Sequence, residues 1–401
     1  MKTKKIKIIP GGLENVPGYK FSALKVGIRY QNRLDYGLIV ADKICQGFGV
    51  FTTNKIKAAP VKISQERIKN RLKAILINAT NANACTGEQG EKNVKILTDD
   101  LAQRLKVSSD NILMASTGII GHQLPLKKML NCHSKLLASC SVKKGGWLAK
   151  AIMTTDTKPK EVAVSLDTSL GKFRIAGIAK GVGMIAPNMA TLLTFIVTDA
   201  PLSKKDLKDI FQKKIKKTLN SITIDGDMST NDSAIILSPI KQKRLTQPSD
   251  LRLFAEALEI VLADLAKKLV MDGEGSTKLV KVIVKKAFNQ KEATLVAKTV
   301  SESFLVKTAF FGEDPNWGRI AMAVGASKAK VKEENLSIYF GEIVLLKKGK
   351  PVNYNEIKLK KILGQREFSV TIDLGLGEGV ASILTSDLSY QYVKINSAYS
   401  T

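Results

Sequence analysis

An α+β layered fold is what this sequence predicts, and two observations carry the prediction. Apolar, β-branched runs and amphipathic helical patterns are interleaved from end to end, without the steady strand–helix–strand alternation of a doubly wound parallel sheet. The 401 residues, 44% hydrophobic and 25% charged, suffice for about two domains or one large duplicated one, and no low-complexity linker or short repeat separates them.

The elements can be read in chain order. AILINATNANACTG (74–87) reads as a buried strand running into a loop of small residues, and NILMASTGIIG (111–121) repeats that pattern. Between them KNVKILTDDLAQRL (92–105) has helical spacing. RIAGIAKG (174–181) and LLTFIVTDA (192–200) read as strands on either side of a turn rich in breakers. SKKDLKDIFQKKIKK (203–217) puts Leu207, Ile210, Phe211 and Ile215, with Leu219 just beyond, on one helical face and lysines on the other. Ser203 is placed to cap that helix, with Asp206 in its first turn. SITIDGDMSTND (221–232) is a strand and then a polar loop. LRLFAEALEIVLADLAKKLV (251–270) carries Leu251, Phe254, Leu258, Val261, Leu265 and Leu269 at helical spacing, and FSVTIDLGLGEGVASILTSDL (368–388) reads as two apolar strands joined by a glycine-rich turn.

Composition narrows the function classes. The 63 Lys+Arg against 36 Asp+Glu leave a formal charge of +27, which raises nucleic acid or an anionic membrane as a partner. The densest basic stretch is, however, the solvated face of an amphipathic helix, and aromatics at 6% do not alternate with the basic residues as a stacking platform requires. Neither nucleic acid nor membrane is therefore expected as the partner. No uninterrupted apolar run is long enough to span a bilayer, and MKTKKIKIIPGG has a basic start with no apolar stretch before Pro10. The reading is a cytoplasmic protein without an export signal. Cys45, Cys85, Cys132 and Cys140 form no CxxC pair and lie near no histidine cluster, so they read as small buried apolar side chains and no metal is expected.

Chemistry points to residues 181–200, GVGMIAPNMATLLTFIVTDA. A side-chain nucleophile needs a base, and the chain has two histidines. His122 follows a glycine in a loop; His133 sits beside Cys132 on a helix, where sequence neighbours point about 100° apart and do not pair. A freed α-amine, with a pKa of about 7.7 to 8.0, can serve instead. That requires a new N-terminus inside the chain. Gly181, Gly183 and Pro187 permit unusual backbone geometry before an apolar strand, and the β-methyl of Thr191 restricts the direction of its hydroxyl. Attack of the Thr191 hydroxyl on the Ala190 carbonyl, followed by hydrolysis, would leave Thr191 as the first residue of a second chain. A Gly/Pro turn into a core strand with a buried, hydrogen-bonded Thr191 is the plainer reading of the same residues. GVGMIA also matches a dinucleotide fingerprint with Asp199 downstream, but Pro187, Asn188 and LLTFIVT do not continue as the helix that motif needs, and GLGEGV (375–380) is flanked by strands.

Across the whole chain, FTTNKIKAAPV, NATNANACTG, STGIIG, MTTDT, KGVGMIAPNMATLL, DGDMSTND, GEGSTK, KTAFFGEDPNWGR and the terminal INSAYST follow one another in an order that resembles the ornithine acetyltransferases, or glutamate N-acetyltransferases, of arginine biosynthesis. The resemblance implies self-cleavage between Ala190 and Thr191, into an α chain of 1–190 and a β chain of 191–401. It implies a layered sandwich with helices outside paired sheets, like N-terminal-nucleophile hydrolases in architecture but differently connected. Thr191 is then the nucleophile, Thr117 and Gly118 the oxyanion hole, and Thr154, Lys180, Thr191, Glu274, Asn396 and Thr401 the substrate-binding positions. It further implies N-acetylornithine and glutamate as substrates, no bound cofactor, acetyl-CoA left open as a further donor, and a heterotetramer of two α and two β chains.

Each position has a physical sense. Thr117 and Gly118 can offer a hydroxyl and a backbone N–H to an oxyanion. Lys180 can hold a substrate carboxylate, although in so basic a chain a lysine is ordinarily solvent-facing. Glu274 can meet the amino group of ornithine or glutamate, and is otherwise a loop carboxylate. Asn396 and Thr401 stand at the extreme C-terminus, where order is not expected from sequence alone. DPNWGR reads as a structural turn with Trp317 packed. The chain departs from the family in SDLSYQYV, where Tyr390 stands in place of an expected histidine. The other classes to be separated are an N-terminal-threonine aminopeptidase or amidase, which gives its acyl group to water, and a basic nucleic-acid-binding protein.

Overall fold

The computed structural model describes residues 5–186 and 192–398; Pro187, Asn188, Ala190, Thr191 and Thr401 lie outside the described residues. The first half runs β1 (Ile6–Ile9), β2 (Tyr19–Leu24), β3 (Tyr36–Phe51), α1 (Ala59–Arg67), β4 (Leu72–Asn78), α2 (Gly87–Leu105), β5 (Ile112–Ser116), α3 (Leu126–Ala138), α4 (Gly145–Ala151), β6 (Lys160–Thr168) and β7 (Gly171–Lys180). The second runs β8 (Leu193–Thr198), α5 (Lys204–Lys217), β9 (Ile222–Thr223), β10 (Ser233–Pro239), α6 (Pro248–Met271), β11 (Leu279–Ala287), α7 (Gln290–Glu302), α8 (Phe304–Phe311), α9 (Trp317–Gly325), β12 (Ser337–Phe340), β13 (Ile343–Lys347), β14 (Lys350–Pro351), α10 (Glu356–Leu363), β15 (Glu367–Asp373), β16 (Gly379–Ser386) and α11 (Tyr390–Ala398).

Among the described residues these strands form two sheets, as an α+β fold requires. One has nine strands in the order β1-β6-β7-β8-β10-β3-β4-β5, with β2 also paired to β3. The other has seven, in the order β14-β13-β12-β15-β11-β16-β9. Period-two alternation sorts the side chains of the first sheet. Ala74, Leu76, Ile112 and Met114 face a core with α1, α2 and α3, while Ile75, Ile77, Leu113 and Ala115 join an inner core with Ala176, Ile178, Phe195 and Leu237. α5 and α6 cover the β6–β8 and β10 region through Leu207, Phe211, Phe254, Leu258, Val261 and Leu265. Leu279 and Leu384, from the second sheet, enter that same core and tie the sheets together. The second sheet packs Val280, Val282, Val370 and Ile372 against α7, α8 and α9. No helix among the described residues is long and apolar enough to cross a membrane.

Most elements match the sequence reading, with instructive differences. The helix read over 92–105 starts at Gly87, because the polar opening GEQGE has no apolar spacing to show it. The N-cap of α5 is as read: the Ser203 hydroxyl accepts from the Asp206 N–H at 3.0 Å. The strands flanking GLGEGV do not pair with each other. β11 lies between them, parallel to β15 and antiparallel to β16. The glycines serve close approach there: a Cβ on Gly379 would fall 2.2 Å from the Asn289 carbonyl oxygen. DPNWGR opens a helix: the Asn316 side chain caps α9 by accepting from the Arg319 N–H at 3.0 Å, and Arg319 Nη1 donates to the Leu305 carbonyl at 2.9 Å. The cysteines depart from the reading too, since only Cys45 is buried; Cys132 and Cys140 are half-buried and Cys85 is exposed.

Candidate active site

Strand register brings distant parts of the chain to one place. β7 ends at Lys180, which pairs with Leu193 at the start of β8, and Leu193 pairs in parallel with Ser233 at the start of β10. The loop after β5 carries Thr117 and Gly118. The connection from α6 to β11 brings Glu274, and α11, following β16, brings Asn396. A cavity of about 260 Å³ is lined by Thr117, Gly118, Thr154, Lys180, Glu274 and Asn396. Every sequence-predicted site residue within the described chain therefore meets in one pocket.

The loop at Gly118 is locked to its neighbour. Buried asparagines of NATNAN explain the lock: Asn78 Nδ2 donates to the Asn81 carbonyl at 2.8 Å, and Ser116 Oγ donates to Asn78 Oδ1 at 2.6 Å. The Thr117 N–H donates to the Asn78 carbonyl at 3.0 Å, and the Ala82 N–H to the Ile119 carbonyl at 2.9 Å. Gly118 sits at φ +134°. Its N–H donates to no acceptor among the described residues, so it is available to an oxyanion. Asn231 Nδ2 donates to the Ala82 and Ser116 carbonyls at 2.6 and 2.9 Å, joining this loop to the one before β10.

Lys180 is buried, not solvent-facing as composition suggested. Its Nζ donates to Thr117 Oγ1 at 3.1 Å. An ammonium only donates, so the Thr117 oxygen is the acceptor and its own proton is turned elsewhere, in a residue that lines the pocket. Burial lowers the Lys180 pKa from the ordinary lysine value, and the Asp156 carboxylate opposes that. Burial alone would raise Asp156, but the cations of Lys180 and Lys160, with the Gly181 N–H at 2.9 Å, hold it below the usual carboxylate range. Asp156 also accepts from Lys160 Nζ at 2.6 Å and from the Thr154 N–H at 3.0 Å. It thus positions the backbone on both sides of the cation. Lys180→Met is expected to lower kcat as well as raise KM for whatever reaction this pocket carries out; a change confined to KM would show that Thr117 needs no help from Lys180.

The opposite wall is carboxylate-rich. Glu274 Oε1 accepts from Thr155 Oγ1 at 2.8 Å and Oε2 from Asn396 Nδ2 at 2.9 Å. A Cβ on Gly183 would lie 2.5 Å from Glu274 Oε2, which explains the second glycine of GVGMIA: it leaves room for this carboxylate. The Tyr392 hydroxyl donates to Asp225 Oδ2 at 3.2 Å, and both residues line the pocket. Burial raises the Asp225 pKa against the hydrogen bonds it accepts from Met184 and Ile185. α11 buries none of its own side chains, so Asn396 and Tyr392, with the Ser389 hydroxyl bonded to the Gly275 carbonyl at 2.6 Å, hold it in place. Tyr390 is exposed, packs edge-on against Phe311 and does not line the pocket.

The histidines lie elsewhere. His133 is fully buried, its Nε2 2.7 Å from the Tyr36 hydroxyl and its Nδ1 2.6 Å from Asp100 Oδ2; His122 is exposed. No helix begins among the described residues between Gly181 and β8, which removes the dinucleotide reading. No cluster of metal-ligating side chains occurs among the described residues.

Known sequences give this pocket its lineage. The model of the ArgJ family matches residues 20–401. The chain belongs to the ArgJ family. It is 43% identical over 395 residues to the arginine biosynthesis bifunctional protein ArgJ of Geobacter sulfurreducens, covering 96% of this chain and 100% of that protein. The ArgJ protein of Caldanaerobacter subterraneus subsp. tengcongensis is 41% identical, with 99% of this chain and 100% of the relative covered. Among solved structures, the Bacillus halodurans ArgJ protein is similar at 38% identity and a TM-score of 0.48, over 51% of this chain and 98% of that one. The Mycobacterium tuberculosis ornithine acetyltransferase, solved with ornithine, is similar at 30% identity and a TM-score of 0.43, over 47% of this chain and 99% of that one. Around this pocket, spacing in the sequence does not single out Asp156, Asp225, Asn231 or Tyr392. Their blocks MTTDT, DGDMSTND and SDLSYQYV were visible, but nothing in spacing marks a polar residue as buried.

Proposed function

We propose that the protein moves an acetyl group from N-acetylornithine to glutamate through an acetyl-Thr191 intermediate, after self-cleavage between Ala190 and Thr191 into chains of 1–190 and 191–401. Membership of the ArgJ family makes it an N-acyltransferase of arginine biosynthesis. The observation that carries the finer reading is the single pocket in which Thr117, Gly118, Thr154, Lys180, Glu274 and Asn396 meet, with Leu192 in a small recess that shares Thr117 and Lys180 with it.

In this reading the Thr191 hydroxyl attacks the acetyl carbonyl and gives its proton to its own α-amine. The carbonyl electron pair moves onto oxygen, facing the Thr117 hydroxyl and the Gly118 N–H. The bond to the ornithine nitrogen breaks, and the ammonium returns the proton to that nitrogen. Glutamate then takes the acetyl group by the reverse steps, which gives a ping-pong cycle. Lys180 meets the α-carboxylate of each amino acid and Glu274 a substrate ammonium. Thr401 completes the substrate positions. The relatives named bifunctional support acetyl-CoA as a second donor, used without a bound cofactor. A cytoplasmic assembly of two α and two β chains completes the proposal.

The test is product formation from N-acetylornithine with and without glutamate, repeated with acetyl-CoA as donor. Acetylglutamate should appear only with glutamate, and a species heavier by one acetyl group should accumulate on the chain starting TLLTF when it is withheld. Release of acetate to water at the same rate without glutamate would favour the amidase reading. Salt-dependent binding to DNA or RNA with no acyl-enzyme would favour the nucleic-acid one.

A further inference from the structure

One loop, DGDMSTND, grips the chain on both sides of residues 187–191. Upstream, Asp225 Oδ2 accepts from the Met184 N–H and Oδ1 from the Ile185 N–H, at 2.5 and 2.8 Å, while the Ile224 N–H donates to the Ile185 carbonyl at 2.8 Å. Downstream, Asp232 Oδ1 accepts from the Leu192 N–H at 2.8 Å and the Ser233 N–H donates to the Leu192 carbonyl at 3.1 Å. Asp232 is 1% exposed and shares a small recess with Thr117, Lys180 and Leu192.

Covalent geometry makes this carboxylate a neighbour of the proposed base. Three bonds separate the nitrogens of Thr191 and Leu192, so the two stay within about 3.7 Å of each other. An amine freed on Thr191 is therefore tied by covalent bonds alone to the neighbourhood of the Leu192 N–H that Asp232 accepts. The other charges facing this point are Lys180 from β7 and, acting on it, Asp156 and Lys160 at the approach to β6 and Glu274 from the α6–β11 connection. Lys180 by itself would disfavour a second cation beside it. A buried anion is needed to balance one.

We propose that Asp232 is the positioning residue for the α-amine of Thr191: its carboxylate accepts the amine N–H and balances the ammonium formed when the amine takes the hydroxyl proton. The proposal rests on the reading of Thr191 as nucleophile. Proton and charge balance within the site: the hydroxyl proton passes to the amine, Asp232 stays ionised throughout, and the same proton leaves with the departing amino acid.

Asp232→Asn keeps an oxygen to accept the Leu192 N–H but removes the charge. A nearby anion raises the pKa of an amine, so its loss is expected to move the acidic limb of kcat to lower pH by about one unit, and the plateau should fall about tenfold or more. Asp232→Glu, retaining the charge, should return the limb towards its wild-type position. An unchanged limb and plateau in Asp232→Asn would overturn the proposal. If Asp232→Asn is not processed to the chain starting TLLTF, processing by Asp232→Glu supports it. Failure of both assigns the residue to backbone placement alone and overturns it. A wild-type protein active as one intact polypeptide would instead sink the nucleophile reading, whatever Asp232 does.

Discussion

Thr191→Ala is expected to yield a single uncleaved polypeptide with acetyl transfer reduced by at least about 10⁴-fold, the scale seen when a covalent nucleophile is removed. Alanine takes away both the hydroxyl that would attack the Ala190 carbonyl and the means of freeing the α-amine. Neither histidine lines the pocket. His133 is sealed between Tyr36 and Asp100, with its pKa lowered by burial, and His122 lies on the surface. The fold should survive, because Asp225 and Asp232 hold the flanks through backbone N–H groups of Met184, Ile185 and Leu192 that the substitution leaves alone. Thr191→Ser separates the two losses: it retains the hydroxyl and loses the methyl that restricts its rotamer, so cleavage should persist, more slowly. Denaturing mass spectrometry reads the first prediction and an acetyl-donor assay the second. Full transfer by an uncleaved Thr191→Ala protein would end the mechanism.

What the sequence made legible follows from what each residue reports locally. Apolar periodicity reports burial of a whole face, so α6, β7, β8 and the capped α5 could be read directly. Contacts between elements leave no such periodic mark. FSVTIDLGLGEGVASILTSDL looks like two strands and a turn, yet β11 inserts between them, because a glycine needed for close approach to Asn289 and one needed for a tight turn look alike in sequence. Lys180 shows the same limit in charge. Composition places a lysine in water, while the Thr117 oxygen and the Asp156 carboxylate that make its burial tolerable come from 63 and 24 residues away, and only their convergence reveals it. The site positions themselves were legible through ordered family blocks rather than through spacing. Asp156, Asp225 and Asp232, which hold the backbone around those positions, sit inside the same blocks but announce themselves only through the N–H groups they accept.

Gly118→Ala tests the proposed oxyanion loop where backbone geometry gives least freedom. The residue lies at φ +134°, and an added Cβ would fall 2.1 Å from the Thr80 carbonyl carbon, 2.4 Å from the Asn81 nitrogen and 2.5 Å from Thr80 Cα. All three are backbone atoms, so no side chain can rotate aside. Nor can the facing loop retreat alone, since Asn78, Thr80 and Ile119 exchange main-chain hydrogen bonds with Thr117, Ile119 and Ala82 across the same contact. Relief therefore requires the Gly118 N–H and the Thr117 hydroxyl to move together, away from the oxygen they would face. kcat is expected to fall about 10²- to 10³-fold, the scale of losing an oxyanion donor, with a stability loss of about 1–3 kcal/mol from overpacking. Thr117→Ala provides the comparison. It removes one hydroxyl and leaves Lys180 without that acceptor, but does not push the backbone, so it should lower kcat with a smaller change in Tm. Equal kcat in wild type and Gly118→Ala, with Tm lowered, would show that this glycine serves only the packing of the two loops, and the oxyanion would then need another N–H.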